Sequence, residues 1–317
     1  MRTLLAPLWL ALALASTSSF AAFPERALHL VVPFGAGSSP DAIARIVATP
    51  LAAALGQPVL VENRPGASGT IGTDAVASAK PDGYTMLFAS PGPLTILPGT
   101  RRPLPYKVSD LAPLTLLTTN AQLLVVPSEL PVTDVASLIA YARANPGRTY
   151  YASSGVGTVG HLGGELFNAM AGTSMTHVPV RSGVVMEAAA GRVQMVLSSV
   201  QDAMPHVRSG RLRALGFSSK TRVKDYPDIP TMSESGLPGF EVTQWFGVLL
   251  PAGAPPEATM RLHAEIGKVL RSPEVVAALR NAGTTPAPST PEAFAQFIAA
   301  ESQKWGQLVR QLDLKID

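Results

Sequence analysis

Leu28-His29-Leu30-Val31-Val32-Pro33-Phe34-Gly35-Ala36-Gly37-Ser38-Ser39-Pro40-Asp41 is the stretch on which the fold turns. Its first five residues read as a buried strand, and the Pro/Gly/Ser run behind them as a tight loop. Ser39 is placed to cap the helix that follows, with Pro40 at its first position and Asp41 complementing the helix dipole. Ile43, Ile46 and Val47 form an inward face, Pro50 is expected to kink or interrupt the helix, and Gly56 ends the run after Leu55. The same order of strand, Gly/Ser loop and helix returns at residues 150–166, where Tyr151-Ala152-Ser153-Ser154-Gly155-Val156-Gly157-Thr158-Val159-Gly160-His161 leads into Leu162, Leu166, Phe167 and Met170. Two such units facing each other make a cleft lined by helix N-termini.

Outward from these units the chain keeps alternating. Strands are expected at 59–61, 84–89, 123–126, 149–153, 177–180, 193–197 and 212–217, with helical patterns between them. That alternation predicts parallel-rich sheets with helices on both faces. The C-terminal stretch is helical instead. Leu262, Ile266, Val269 and Leu270 share one face, Ser272-Pro273 opens a second helix closed by Gly283, and Thr290-Pro291 opens a third. No low-complexity linker occurs, so any link between lobes runs through ordered strands.

The N-terminus reads as an export signal. Arg2 supplies a positive n-region, residues 4–15 are almost purely apolar, and Ser19-Phe20-Ala21 offers small residues at the −3 and −1 positions of a cleavage site. The alternative, an uncleaved anchor, needs roughly 20 apolar residues. The chain has no cysteine, which removes lipid-modified Cys, disulfides and thiolate chemistry. Charged residues are 15% and the net charge is +3, without a Lys/Arg block. Nucleic acid, which calls for a basic stripe with aromatics, is not an expected partner.

Three Gly-rich loops carry the candidate chemistry. In residues 34–41 the glycines let backbone N–H groups converge at a helix N-terminus, an anion site that needs no charged side chain; a plain strand-to-helix turn has the same composition. In residues 153–161, Gly155, Gly157 and Gly160 satisfy GxGxxG, the dinucleotide fingerprint. The region about 20 residues on offers no acidic residue at a strand end, and Glu187 falls inside a helical pattern. Ser153, Ser154 and Thr158 add hydroxyls that suit a carboxylate better than a pyrophosphate. The third loop, residues 63–72, has glycines that can serve the cleft or allow close helix–sheet packing, and packing is the favoured reading. His29 and His263 read as structural. Ser154 with His161 can imitate a nucleophile and base, but no orienting acid is evident, and neither HExxH nor paired metal-ligand histidines occur.

These residues carry a resemblance over nearly the whole mature length. LHLVVPFGAGSSPDAIAR (28–45), LGQPVLVENRPGASGTIG (55–72), KPDGYTMLFAS (80–90), YASSGVGTVGHLGGELF (151–167), RSGRLRALGFSS (208–219), DIPTMSESGLPGFE (228–241), WFGVLLPAGAP (245–255) and STPEAFAQFIAAE (289–301) resemble the Bug-type periplasmic receptors of tripartite tricarboxylate transporters. The resemblance implies a type II periplasmic binding protein: two α/β lobes, each a twisted, mostly parallel sheet flanked by helices, with the ligand cleft between them. It places a signal peptide at 1–21, lobe one at 22–122 and 226–317, and lobe two at 123–225. It implies capture of a small organic anion, typically a carboxylate, for the membrane subunits of a transporter, by a periplasmic monomer without catalytic residues, cofactor or metal.

Carried onto this chain, the ligand residues are Phe34, Gly35, Ala36, Gly37, Ser38, Ser39 and Asp41 in the first loop, Ser90 and Gly92 after a strand, and Ser153, Ser154, Gly155, Gly157, Thr158 and His161 in the second loop. Two places depart from the family. Val180-Arg181-Ser182-Gly183 keeps only the basic residue of an aromatic-basic-glycine pattern, and Leu197-Ser198-Ser199 stands where relatives carry Asp-Asn. Arg181 and Ser199 are therefore expected at the distal end of the ligand. The other readings left open are a secreted hydrolase, a nicotinamide-dependent enzyme built on residues 155–160, and a solute sensor without a transporter.

Overall fold

The computed structural model describes residues 23–100, 103–180 and 182–311. The expected signal peptide and Arg181 lie outside the described residues. Two sheets organise the chain. The first has six strands in the order β11-β4-β10-β3-β1-β2, from β1 (Leu28–Val32), β2 (Val59–Asn63), β3 (Thr85–Ala89), β4 (Leu111–Ala121), β10 (Thr243–Pro251) and β11 (Thr285–Pro286). The second has five in the order β7-β6-β8-β5-β9, from β5 (Leu123–Pro127), β6 (Tyr150–Ser153), β7 (Thr176–Pro179), β8 (Met195–Ser198) and β9 (Leu212–Phe217). This is the two-lobed α/β architecture that the family resemblance implies.

The sheets are mixed rather than mostly parallel. β1 is parallel to β2 and β3, and β6 to β7 and β8, whereas β10 runs antiparallel to β3 and β4, and β5 antiparallel to β8 and β9. The antiparallel strands are the ones that carry the chain between lobes, which no local pattern announces.

Strand alternation explains how both faces are covered. Leu28, Leu30 and Val32 share a cluster with Ile43, Val47 and Leu51 of α1 (Ser39–Leu55), and with Leu262 and Ile266 of α7 (Pro256–Val269). Val31, on the other face, packs with Trp245, with Val76 of α2 (Thr70–Ala77), and with Phe294 and Ile298 of α9 (Pro291–Gln311). In the second sheet, Tyr151, Met195 and Leu197 join Leu138 of α3 (Val135–Ala144) and Leu162 and Phe167 of α4 (Val159–Ala171). Ala152 and Val196 face Val185 of α5 (Val184–Ala189) and Ala203 of α6 (Val200–Arg208). The remaining helix, α8 (Pro273–Asn281), follows the Ser272 cap as expected.

Two local expectations are corrected. α1 runs unbroken through Pro50: one N–H is lost there, but Val47, Leu51 and Leu55 stay buried on the core side and hold the last turns in place. The cap of α1 is Ser38, not Ser39. Its backbone is extended, and its hydroxyl accepts from Asp41 N–H at 3.4 Å and donates to Gly35 C=O at 2.7 Å.

The chain crosses between sheets at Gln122 and again at Val242. Ser218 ties the crossings together: Gln122 N–H donates to its hydroxyl at 2.7 Å, the hydroxyl donates to Val242 C=O at 2.5 Å, and Val242 N–H donates to Ser218 C=O at 3.0 Å. Met232, Leu237, Phe240 and Val242 belong to the second sheet's core, together with Trp305, Leu308 and Val309 from the end of α9. Residues 232–242 and the last described turns of α9 thus pack against the second sheet's core. Apolar residues in the irregular 226–242 stretch choose the nearer core, which strand counting does not register.

Candidate ligand-binding cleft

Between the sheets lies a cavity of about 1330 Å3. From the first lobe it is lined by Phe34, Gly35, Ser38, Ser39, Ser90 and Gly92, and from the second by Ser153, Ser154, Gly157, Thr158 and Ser199. These are eleven of the residues expected from the sequence. Ala36, Gly37, Asp41, Gly155 and His161 do not line the cavity; the last four brace the loops through hydrogen bonds, and Ala36 is exposed.

The first loop is held by charge. Asp41 is 4% exposed, accepts from Gly37 N–H at 2.9 Å and Asn63 Nδ2 at 2.9 Å, and pairs with Arg45 at 3.0 Å. Burial works against its charge, yet the bonds from Arg45, Gly37 and Asn63 hold its carboxyl below the usual range. Gly37, at φ 77°, turns its N–H to that carboxylate and away from the cleft.

The second loop is held by neutral groups. Ser153, 1% exposed, accepts from Gly155 N–H at 3.2 Å, donates to Gly155 C=O at 3.0 Å, and meets His177 Nε2 at 2.7 Å. Thr158 donates to Gly155 C=O at 2.7 Å, caps α4 through His161 N–H, and Gly157 N–H donates to His161 Nδ1 at 3.2 Å. The rings of His161 and His177 lie 4.2 Å apart. Burial pushes both histidines down to about 4, with the neighbouring His177 adding to the effect on His161. His161 is therefore a loop support and not the partner of Ser154; the close Ser–His contact is Ser153 with His177.

What remains turned to the cavity is a set of donors. Capping uses the N–H groups of Asp41 and Ala42 in α1 and of His161 and Leu162 in α4. Ser39, Val159 and Gly160 keep first-turn N–H groups with no protein acceptor, as helix starts do. The Ser90 side chain, 2% exposed, makes no hydrogen bond within the described residues. No Lys or Arg is among the described lining residues.

The third Gly-rich loop combines its two readings. Residues 65–69 line the cavity, and Ser68 reaches the other lobe with a 3.3 Å hydrogen bond to Val156 C=O. Gly72 keeps the packing role, since a Cβ there would lie 2.8 Å from Arg64 C=O and 2.8 Å from Pro33. The sequence reading also passed over Asn120, Gln122, Asp202, His206 and Gln244, all of which line the cavity. They are polar residues on the crossing strands and on α6, and nothing in their spacing marks them out.

Residues 43–314 match the profile of the tripartite tricarboxylate transporter family receptor. The chain belongs to that family. Among this receptor's relatives, a UPF0065 protein in the tcbD-tcbE intergenic region of Pseudomonas sp. (strain P51) is 40% identical, the match covering 97% of this chain and 93% of the relative. Protein BugT of Bordetella pertussis is 37% identical over 93% of this chain and 91% of its own length. Two solved structures share the fold: R. palustris Rpa4515 with adipate, at 33% identity and TM-score 0.84, covers 91% of this chain and 97% of its own. MatC from Rhodopseudomonas palustris with bound malate, at 30% and 0.81, covers 90% and 100%. The receptor family is periplasmic and solute-binding, and no helix among the described residues is long and apolar enough to cross a membrane.

Proposed function

We propose that this receptor captures a small carboxylate in its cleft and delivers it to the membrane subunits of a tripartite transporter, without catalysing a reaction. The observation that carries the reading is the convergence of two helix starts, α1 and α4, on one cavity. Ser39, Val159 and Gly160 present free N–H groups there, with the Ser90 and Ser154 hydroxyls beside them. Such starts favour negative charge. Hydrogen bonds to a charged group contribute about 1.5–3 kcal/mol each, so three or four reach the roughly 8 kcal/mol of micromolar binding. The adipate and malate of the two R. palustris proteins support the same ligand class.

The enzyme readings find less support. Ser153 and His177 touch, but the described surroundings of His177 are the rings of Tyr151 and His161, with no carboxylate to orient it. β7 ends on Pro179 without an acid for a ribose, and Glu187 is taken by Arg192 at 2.6 Å.

In this reading residues 1–21 are a cleaved signal peptide and the protein works in the periplasm. The lobes divide at Gln122 and Val242, and the Ser218 clasp is the hinge. Native mass spectrometry of protein released gently from the periplasm tests the receptor reading. One equivalent of a small organic acid is expected, on a chain beginning near Ala22; a membrane-bound chain still starting at Met1 contradicts it.

A further inference from the structure

The register of the second sheet brings a second polar cluster into the cleft, away from the helix starts of α1 and α4. β5 pairs with β8 so that Leu123 lies opposite Ser198. Gln122 therefore sits beside Ser199, the N-cap of α6. Gln122 is only 7% exposed and lines the cavity, yet its side-chain amide makes no hydrogen bond within the described residues. On α6, Asp202 and His206 are four residues apart and share the face turned to the same cavity. One carboxylate oxygen of Asp202 accepts from Ser199 at 2.8 Å, and the other has no described partner. His206 Nδ1 is buried without a hydrogen bond.

Two groups with unused acceptor capacity thus line one end of the cavity: the second Asp202 oxygen and Gln122 Oε1. Asp202 is the one carboxylate among the described lining residues. Its full charge exceeds the roughly half charge of the α6 start, so the described groups at this end favour a cation over an anion. An ammonium group has three N–H donors and no acceptor, so it can serve both acceptors and keep one N–H for water. β8 and β5 lie one and two strand spacings from β6, the strand that leads into α4. The two ends of a bound solute are then about 5–10 Å apart, the span of a short carbon chain.

Resting on the carboxylate reading above, we propose that this receptor selects an ω-amino carboxylate, with its acid on α1 and α4 and its ammonium on Asp202 and Gln122. A dicarboxylate is discriminated against by Asp202. The competing source of selectivity is Arg181, the neighbour in sequence of the cavity-lining Ser182, which would reward a second acid instead.

Calorimetry on the mature protein separates these, using unbranched ω-amino carboxylates, dicarboxylates, monocarboxylates and monocarboxamides of four to six carbons. At the best chain length the amino acid should bind at least tenfold tighter than the dicarboxylate. Asp202→Asn should weaken the amino acid tenfold or more and change the monocarboxylate less than twofold, with an unchanged circular-dichroism melt. Gln122→Leu should weaken the amino acid in the same selective way, and Arg181→Ala should leave the ranking intact. A dicarboxylate that binds tighter than the amino acid, or a ranking that depends on Arg181 and not on Asp202, overturns the proposal while leaving the carboxylate site standing. If monocarboxamides bind as well as monocarboxylates, the carboxylate site itself fails and the proposal falls with it.

Discussion

The two ligand loops have the same plan and opposite means of support. Residues 34–41 are braced by an ionised carboxylate, with Asp41 gathering Gly37, Asn63 and Arg45. Residues 153–161 are braced by a hydroxyl and two imidazoles kept neutral by burial. The exposed face of the first loop is open: a Cβ on Gly35 or Gly37 would meet nothing within 4 Å. The second loop is closely backed, since a Cβ on Gly160 would lie 3.2 Å from Ser153 and one on Gly164 2.1 Å from the Tyr151 ring. A helix start at the cleft can therefore be held by either chemistry; in the proposed reading the ligand meets the backbone and not the brace. The difference should show in how each lobe responds to acid and to mutation.

Acid gives the largest expected effect. His161 has a folded value of about 4 against an ordinary 6.5, so the unfolded chain takes up protons first as pH falls. The stability this group contributes is complete above pH 6.5 and is lost between about 6.5 and 4, amounting to about 3 kcal/mol at most for His161. Asp41 is also shifted down, but from the ordinary carboxylate value and so in a more acid window. Its contribution is complete above the ordinary carboxylate value and is lost only as pH falls below that and through the folded value. Hydrogen exchange followed from pH 7 to 4.5 should thus show amides of α4 and β6 opening while those of α1 and β1 stay protected. Equal loss in both lobes would break the contrast.

Asp41→Asn should cost about 2 kcal/mol in urea melts, the worth of charge-assisted bonds to Gly37 and Asn63, with Arg45 half-exposed and able to find water. Ligand affinity should fall with it, and the acid sensitivity of the second lobe should be untouched. Between the lobes the expected effect is smallest. Ser68→Ala removes the 3.3 Å bond to Val156 at an exposed site and should change ligand affinity by about 0.5 kcal/mol or less, measured by calorimetry.

Legibility in the sequence follows the same contrast between local and distant causes. The β1–α1 and β6–α4 units were readable because hydrophobic period, glycines and caps lie within some 20 contiguous residues. The C-terminal helices were readable for the same reason. β4 and β10 were not seen: β4 carries Pro113 and Thr115 inside a nearly continuous buried run, and β10 holds Gly247 where a Cβ would lie 2.3 Å from Phe294. Those choices make sense only beside their partners. The packing of residues 232–242 on the second lobe, the Ser153–His177 contact and the placing of Gln122 beside Ser199 all depend on long-range register. The glycine loops marked where the cavity lies; Asp202 and His206, which also line it, are ordinary helix residues until the sheet brings them round.

The central claim is that backbone N–H groups of both loops hold a carboxylate because it is charged. Calorimetry at pH 7 with a monocarboxylate and its primary amide, matched in length and shape, tests it most directly. The acid is expected to bind at least tenfold tighter than the amide, a difference of about 1.4 kcal/mol or more. Equal affinity for the pair would contradict the account.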